Sequence, residues 1–212
     1  MRKQWKCLMS SVCLLLIFLA SQTAFGEEKK SVQTGSIVKK AGTVNPEQTD
    51  PRADIMTRVM SRAEKIKNIM GIKKGVLLDV GCGGAYLDVA LAKITDLDFI
   101  LLDISPRAIE AAGQNIAEYY LGKRARTLLA DAQNIPLADG SVNFVISTGS
   151  IGAWKNPQMG LQEIYRVLAP GGRAYISGIG GYRDYFRILK DAGVSRYALN
   201  KDGDDVWIDI WK

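Results

Sequence analysis

Histidine is absent from all 212 residues. Its absence removes imidazole acid–base chemistry, Ser-His-Asp and Cys-His hydrolysis, and histidine-ligated metal sites together. Cysteine is nearly absent. Cys7 and Cys13 sit in an N-terminal apolar stretch, which leaves Cys82 alone, with no disulfide framework and no cysteine metal site. Basic charge is scarcer than the formal +6 implies, because Arg2, Lys3 and Lys6 crowd the extreme N-terminus. Without them 25 Lys and Arg face 22 Asp and Glu, spread along the chain. No basic block or interleaved aromatic pattern marks a nucleic-acid partner.

Long apolar runs are scarce too. The longest, Leu8 to Ala20, has thirteen residues, short of the roughly 18 or more of a spanning helix. It follows basic "MRKQWK" and precedes polar "SQTAFG", with Ala24 and Gly26 as small residues at positions −3 and −1 of a cut before Glu27. Residues 1–26 therefore read as an export signal. Kept uncleaved, residues 8–20 would associate the chain with a membrane; a start placed downstream would leave the domain in the cytoplasm. Residues 27–49 are polar and non-periodic and read as a linker, which assigns 50–212 to one domain.

What is present is a globular composition, 47% hydrophobic and 24% charged. Asp50 and Pro51 open a helix that stops at Gly71, with Ile55, Val59, Arg62, Ile66 and Ile69 along one face. Near-continuous apolar runs at Val76–Val80, Phe99–Asp103, Thr127–Ala130, Val142–Ser147 and Arg173–Ser177 predict strands covered on both faces. Helices are predicted over Ala85–Ile94, Pro106–Leu121, Pro157–Leu168 and Tyr182–Ala192, with "APGG" at Ala169–Gly172 as a stop. Arg196–Asn200 and Val206–Trp211 flank a "KDGDD" turn and predict an antiparallel hairpin. The alternation is that of an α/β, doubly wound, mostly parallel sheet with helices on both faces.

Such sheets bind ligands beyond the carboxyl ends of their strands. The first strand delivers Asp79 and then Gly81-Cys82-Gly83-Gly84-Ala85 to that edge. Gly81 and Gly83 allow backbone to approach a ligand closely. A dinucleotide fingerprint needs glycine where Tyr86 stands, and Asp79 would repel a pyrophosphate. An acid there favours a ligand carrying positive charge. Asp103 ends the second strand, where a carboxylate can accept both hydroxyls of a ribose. Asp131 ends the third, where an adenine amine could be read. A cationic amino-acid end, a ribose and an adenine describe S-adenosylmethionine (SAM).

At this point the chain resembles the class I SAM-dependent methyltransferases. "LDVGCGGAYL" resembles that family's D/E-x-G-x-G-x-G motif, with Ala85 in place of its third glycine. "LLDIS", "ADAQNIPLADGSVNFVIS" and "LQEIYRVLAPGGRAYIS" resemble three further segments, in order, from about Gly75 to Lys212. The resemblance implies seven strands in the order 3-2-1-4-5-7-6, the seventh antiparallel. It implies SAM as cofactor, held by Asp79, Gly81, Cys82, Gly83, Asp103, Ile104, Asp131, Ala132 and Ser147, with no metal. Restoring the third glycine with Ala85→Gly is expected to leave SAM binding unchanged or improved.

The segment "STGSIGAWKNP" after the fourth strand is where family members place substrate-facing groups, and Trp154 is either a substrate platform or core cover. Trp207 and Trp211, on one face of the hairpin, read as helix-packing residues. Tyr86, Asp88 and Tyr182 lie near the glycine turn, but none is singled out as a base. Methyl transfer proceeds largely by alignment and exclusion of water, so the lack of histidine is compatible with it. Short loops after strands four and five favour a small-molecule acceptor. The rival readings are a non-catalytic SAM-binding protein, to which Ala85 lends weight, and an NAD-type enzyme, against which Tyr86 speaks.

Overall fold

The computed structural model describes residues 51–178 and 185–212. The expectations for residues 1–26 and 27–49, and for Tyr182, lie outside these residues. Helix α1 (Pro51–Met70) leads into β1 (Lys74–Val80), α2 (Tyr86–Ile94), β2 (Asp96–Asp103), α3 (Pro106–Glu118) and β3 (Ala125–Leu129). Then come β4 (Val142–Thr148), a short 3-10 turn (Ile151–Ala153), α4 (Pro157–Val167), β5 (Leu168–Ser177), α5 (Tyr185–Asp191), β6 (Tyr197–Asp202) and β7 (Asp205–Trp211). The seven strands lie in the order β3-β2-β1-β4-β5-β7-β6, as the resemblance implied. Strands β1 to β5 are mutually parallel, and β7 runs antiparallel to both β5 and β6.

Period-two alternation along each central strand fills two cores. Leu77 and Leu78 are both fully buried, yet Leu77 packs with Leu101, Ile146 and Tyr175 under α1 and α2. Leu78 packs on the other face with Leu102, Val145 and Ile176, against Leu161 and Ile164 of α4. A strand buried on both faces has no polar face to show, which is why these runs are apolar throughout. Among the described residues no helix is long and apolar enough to cross a membrane.

Several boundaries differ from the sequence expectation. Helix α2 starts at Tyr86 because Ala85 takes a left-handed conformation, φ 59°. Helix α3 stops three residues early. Tyr120 is left-handed at φ 56°, and the amide of Leu121 donates to Ile116 O (2.9 Å), closing the helix end without a glycine. "APGG" does not separate helix from strand. Strand β5 begins at Leu168, paired with Val142, and the register shifts before Arg173 resumes pairing with Phe144. Gly172 is needed there, because a Cβ would lie 2.8 Å from Ala169 O and 2.9 Å from Asn143 O.

The closing hairpin packs on α1. Lys65 Nζ bridges Asp202 (3.1 Å) and Asp205 (2.9 Å) and sits 4.5 Å from the Trp207 ring centre. Trp207 in turn stacks on Tyr175 at 5.7 Å. Arg62, which the periodicity places on the apolar face, reaches Asp205 at 3.7 Å. Arg173 pairs with Asp209 and donates to Ile69 O (2.7 Å).

Candidate cofactor site

The strand ends and the glycine turn meet at the carboxyl edge of the sheet. Gly81 has φ 84°, and a Cβ on it would overlap Ser150. The amides of Gly81 and Cys82 both donate to Leu102 O, at 2.7 and 3.0 Å, which curls the turn against β2. Gly83, at φ 54°, has open space where a Cβ would stand. Asn115 of α3 pins the turn from outside, its Nδ2 donating to Gly84 O (2.6 Å).

Asp103 is held by two backbone donors. Gly83 N–H reaches its Oδ2 (3.0 Å) and Ser105 N–H its Oδ1 (2.9 Å). A carboxylate oxygen has two lone pairs, so each oxygen retains one for a ligand. Asp131 accepts from the amide and the side chain of Gln133, with Nε2 at 3.1 and 2.9 Å from its two oxygens. Beside them lies a cleft of about 310 Å³ lined by Gly81, Asp103, Ile104, Ala132, Ser150 and Trp154, among others. Ile104 is 66% exposed, an unusual state for isoleucine and one that suits a flat apolar ligand. A wider groove of about 670 Å³ between α5 and β6 shares no residue with this cleft.

Five of the nine sequence candidates line the cleft: Gly81, Asp103, Ile104, Asp131 and Ala132. Gly83 joins them through its bond to Asp103. Cys82 is half-buried, its Sγ donating to Gly83 O (3.7 Å), and burial pushes its thiol well above the usual range, helped by Asp79, Asp88 and Asp103. Ser147 is fully buried and does not line the cleft. It shares a hydrogen bond with Ser150 (2.7 Å), whose Oγ donates to Val80 O (2.8 Å). Ser150 is the hydroxyl that reaches the cleft, three residues on, because the chain turns back over β1 there. Trp154 lines the cleft, and its ring also covers Gly160, where a Cβ would fall 2.5 Å from Cε3.

Two further residues position the site. Glu163 Oε2 accepts from Ile135 N–H (2.8 Å), while Arg166 donates to Ile135 O and Leu137 O (2.8 Å each) and to Asp139 (2.6 Å). Together they fasten the segment that carries Asp131 and Ala132. Both lie in the quoted "LQEIYRVL" stretch, but the role of either needs the fold to bring α4 beside that segment.

Asp79 is 3% exposed, and its Oδ1 has no partner. The ionisable group that acts on it most strongly is Asp88 in the first turn of α2, itself 2% exposed and with both carboxyl oxygens lacking a hydrogen-bond partner. Burial first, then Asp88 and Asp103, raise the Asp79 carboxyl well above the ordinary range; burial raises Asp88 to about 7. No cluster of histidine, cysteine or acidic residues able to hold a metal occurs among the described residues.

These features fit SAM. Gly83 leaves room for a close ligand, Asp103 offers two fixed acceptors for a diol, Ile104 and Ala132 give an apolar cleft, and an unpartnered buried carboxyl suits a cation. The comparisons agree. The family model described as a methyltransferase domain matches residues 78–176. A ubiquinone/menaquinone biosynthesis C-methyltransferase from Geotalea daltonii is 31% identical over 135 residues, 59% of this chain and 57% of that one. A chloroplastic 2-methyl-6-phytyl-1,4-hydroquinone methyltransferase from Oryza sativa is 34% identical over 103 residues, 48% of this chain and 30% of that one. The chain thus spans 57% and 30% of the length of these two curated relatives. A crystal structure from Methanococcus maripaludis, assigned to the SAM-dependent methyltransferases, superimposes with a TM-score of 0.67 at 28% identity, over 76% of this chain and 90% of the other. With its sheet order, its acids at three strand ends and these likenesses, the chain belongs to the class I SAM-dependent methyltransferases, whose cofactor is S-adenosylmethionine.

Proposed function

We propose that this chain transfers a methyl group from SAM to a small molecule, with a hydroquinone-like ring as the acceptor class. The observation that carries the cofactor half is Asp103, oriented by two backbone amides beside an apolar cleft. Asp103 would accept the ribose hydroxyls, Ile104 and Ala132 would flank the adenine, and Asp79 would answer the cationic amino-acid end. Bound there, the cofactor supplies an electrophilic methyl group on a positively charged sulfur. The chain's own residues supply alignment and exclusion of water, which can account for a large share of rate enhancement. Trp154 and Lys155 wall one side of the cleft.

An acceptor that brings its own acidity needs no imidazole base. A phenolic ring does so, since its ionised oxygen activates the ring carbons. The names of two relatives, one acting in quinone biosynthesis and one on a hydroquinone, support that class.

Calorimetric titration of the protein with SAM and with NAD tests the cofactor. SAM is expected to bind and NAD is not. Ile104→Ala removes exposed apolar surface, so it should weaken SAM several-fold, on the order of 1 kcal/mol, and leave unliganded stability unchanged. Asp103→Ala should weaken SAM by about 1.5–3 kcal/mol and lower the melting temperature as well, because Gly83 and Ser105 lose their acceptor. If both variants bind SAM like wild type, this cleft is not the cofactor's. Transfer of labelled methyl to a soluble hydroquinone, with a small thiol and a small amine alongside, tests the acceptor. Label on the thiol or amine alone would refute the ring.

A further inference from the structure

The cofactor reading leaves Asp88 without a task. It lies in a helix stretch whose other members, Leu87, Val89, Ala90, Leu91 and Ala92, are buried and apolar all round the helix. Neither of its carboxyl oxygens has a hydrogen-bond partner among the described residues, and the groups that act on it are Asp79 and its own backbone. A buried carboxyl with no cation is costly, and here two of them act on each other. Two carboxylates offer only acceptors, so two buried ones acting on each other with no basic partner are relieved when one carries a proton. The groups that act on the pair are few. Strand β2 contributes Asp103 and the glycine turn contributes Cys82. Helices α1 and α3 also pack on α2, yet no basic side chain among the described residues acts on either carboxyl. The local field is therefore wholly acidic, and one proton keeps it tolerable.

We infer, on the strength of the cofactor reading, that Asp88 is a positioning residue that keeps a shared proton on Asp79 in the free protein, and that binding of a cationic ligand expels it. In that step the carboxyl O–H bond breaks, the proton passes to the buffer, and the carboxylate left behind faces the ligand's positive charge. Nothing is oxidised or reduced. Burial weakens both acids, Asp88 to about 7, so affinity for a cationic ligand rises with pH as the proton leaves. Asp88 thus makes the site selective for charge, because a neutral ligand of the same shape leaves the proton in place.

The test is proton counting. The full-length protein is titrated calorimetrically with SAM at pH 7, in buffers of different ionisation enthalpy. Wild type should release a substantial fraction of one proton per SAM bound, and adenosine, which lacks the cationic end, should release almost none. Asp88→Asn removes one acid and gives Asp79 a neutral donor, so SAM should still bind, with release reduced several-fold and a flatter dependence of affinity on pH. SAM binding by wild type with no proton release overturns the inference while leaving the cofactor reading intact. Equal release with adenosine, or undiminished release from a folded Asp88→Asn protein, also overturns it. Failure of wild type to bind SAM at all removes the cofactor reading and this inference together. The wild-type count needs no variant, so a misfolded mutant cannot protect the idea.

Discussion

At the scale of single residues, the cofactor edge holds what a stability-optimised core would exclude. Ala85 is left-handed where glycine is at ease, and Asp79 and Asp88 are buried without a cation. Such residues persist where a ligand completes the environment. The acid pair has a measurable signature in the unliganded protein. Asp88 sits near 7 when folded and near 3.8 when unfolded, so the folded state binds more protons between those values. Stability therefore falls as pH rises from about 4 through about 7, by about 4 kcal/mol from this group. Asp88→Asn should remove that fall. Urea denaturation of both proteins at pH 5 and pH 8 should give a small advantage to the variant at pH 5 and a clearly larger one at pH 8. Parallel pH profiles would mean that Asp88 is not the buried acid described.

At the scale of elements, two features set boundaries and hold the site. The end of α3 depends on Tyr120, left-handed and 93% exposed. No buried contact repays that conformation, so Tyr120→Gly should stabilise the domain by about 1 kcal/mol, seen as a higher melting temperature. A lower one would show that the phenol ring packs in a way its exposure denies. The Glu163–Arg166 pair fastens the segment carrying Asp131. Arg166→Ala should cost about 2–4 kcal/mol and weaken SAM as that segment loosens, and Arg166→Lys should recover only part of either, because lysine cannot fork across Ile135 and Leu137. Arg166 also holds the Glu163 carboxyl below its ordinary range. Its contribution is thus present above about pH 4.5 and lost as pH falls, the opposite sense to Asp88. Full recovery of both stability and affinity by lysine would reduce the clamp to simple charge pairing.

At the scale of the whole molecule, α1 and the β6–β7 hairpin lock together through Lys65, Asp205 and Trp207. The last strands thereby hold the first helix, and α1 belongs with the folded unit. Upstream of it we propose that residues 1–26 direct export and are removed before Glu27, so the domain works outside the inner membrane and must find SAM there. Mass spectrometry of the native protein, with cell fractionation, should find a mature N-terminus at or near Glu27. An intact Met1 on a cytoplasmic protein would defeat export and leave the methyltransferase assignment untouched.

The sequence by itself determined the alternation of strands and helices, the parallel sheet and the acids at three strand ends. Each of these is local: burial on both faces forces apolar runs, and a carboxylate at a strand end marks the edge where ligands bind. Strand order came from resemblance to a family, since pairing joins residues that the chain pattern does not link. Only the tertiary structure decided that Ser150 and not Ser147 reaches the cleft, that Arg166 grips Ile135 and Leu137, and that Asp88 lies against Asp79. These depend on how α2 and α4 rotate against the sheet and on a turn that reverses over β1. An aspartate one turn into an amphipathic helix looks the same in sequence whether it faces water or another acid, and packing alone makes the difference.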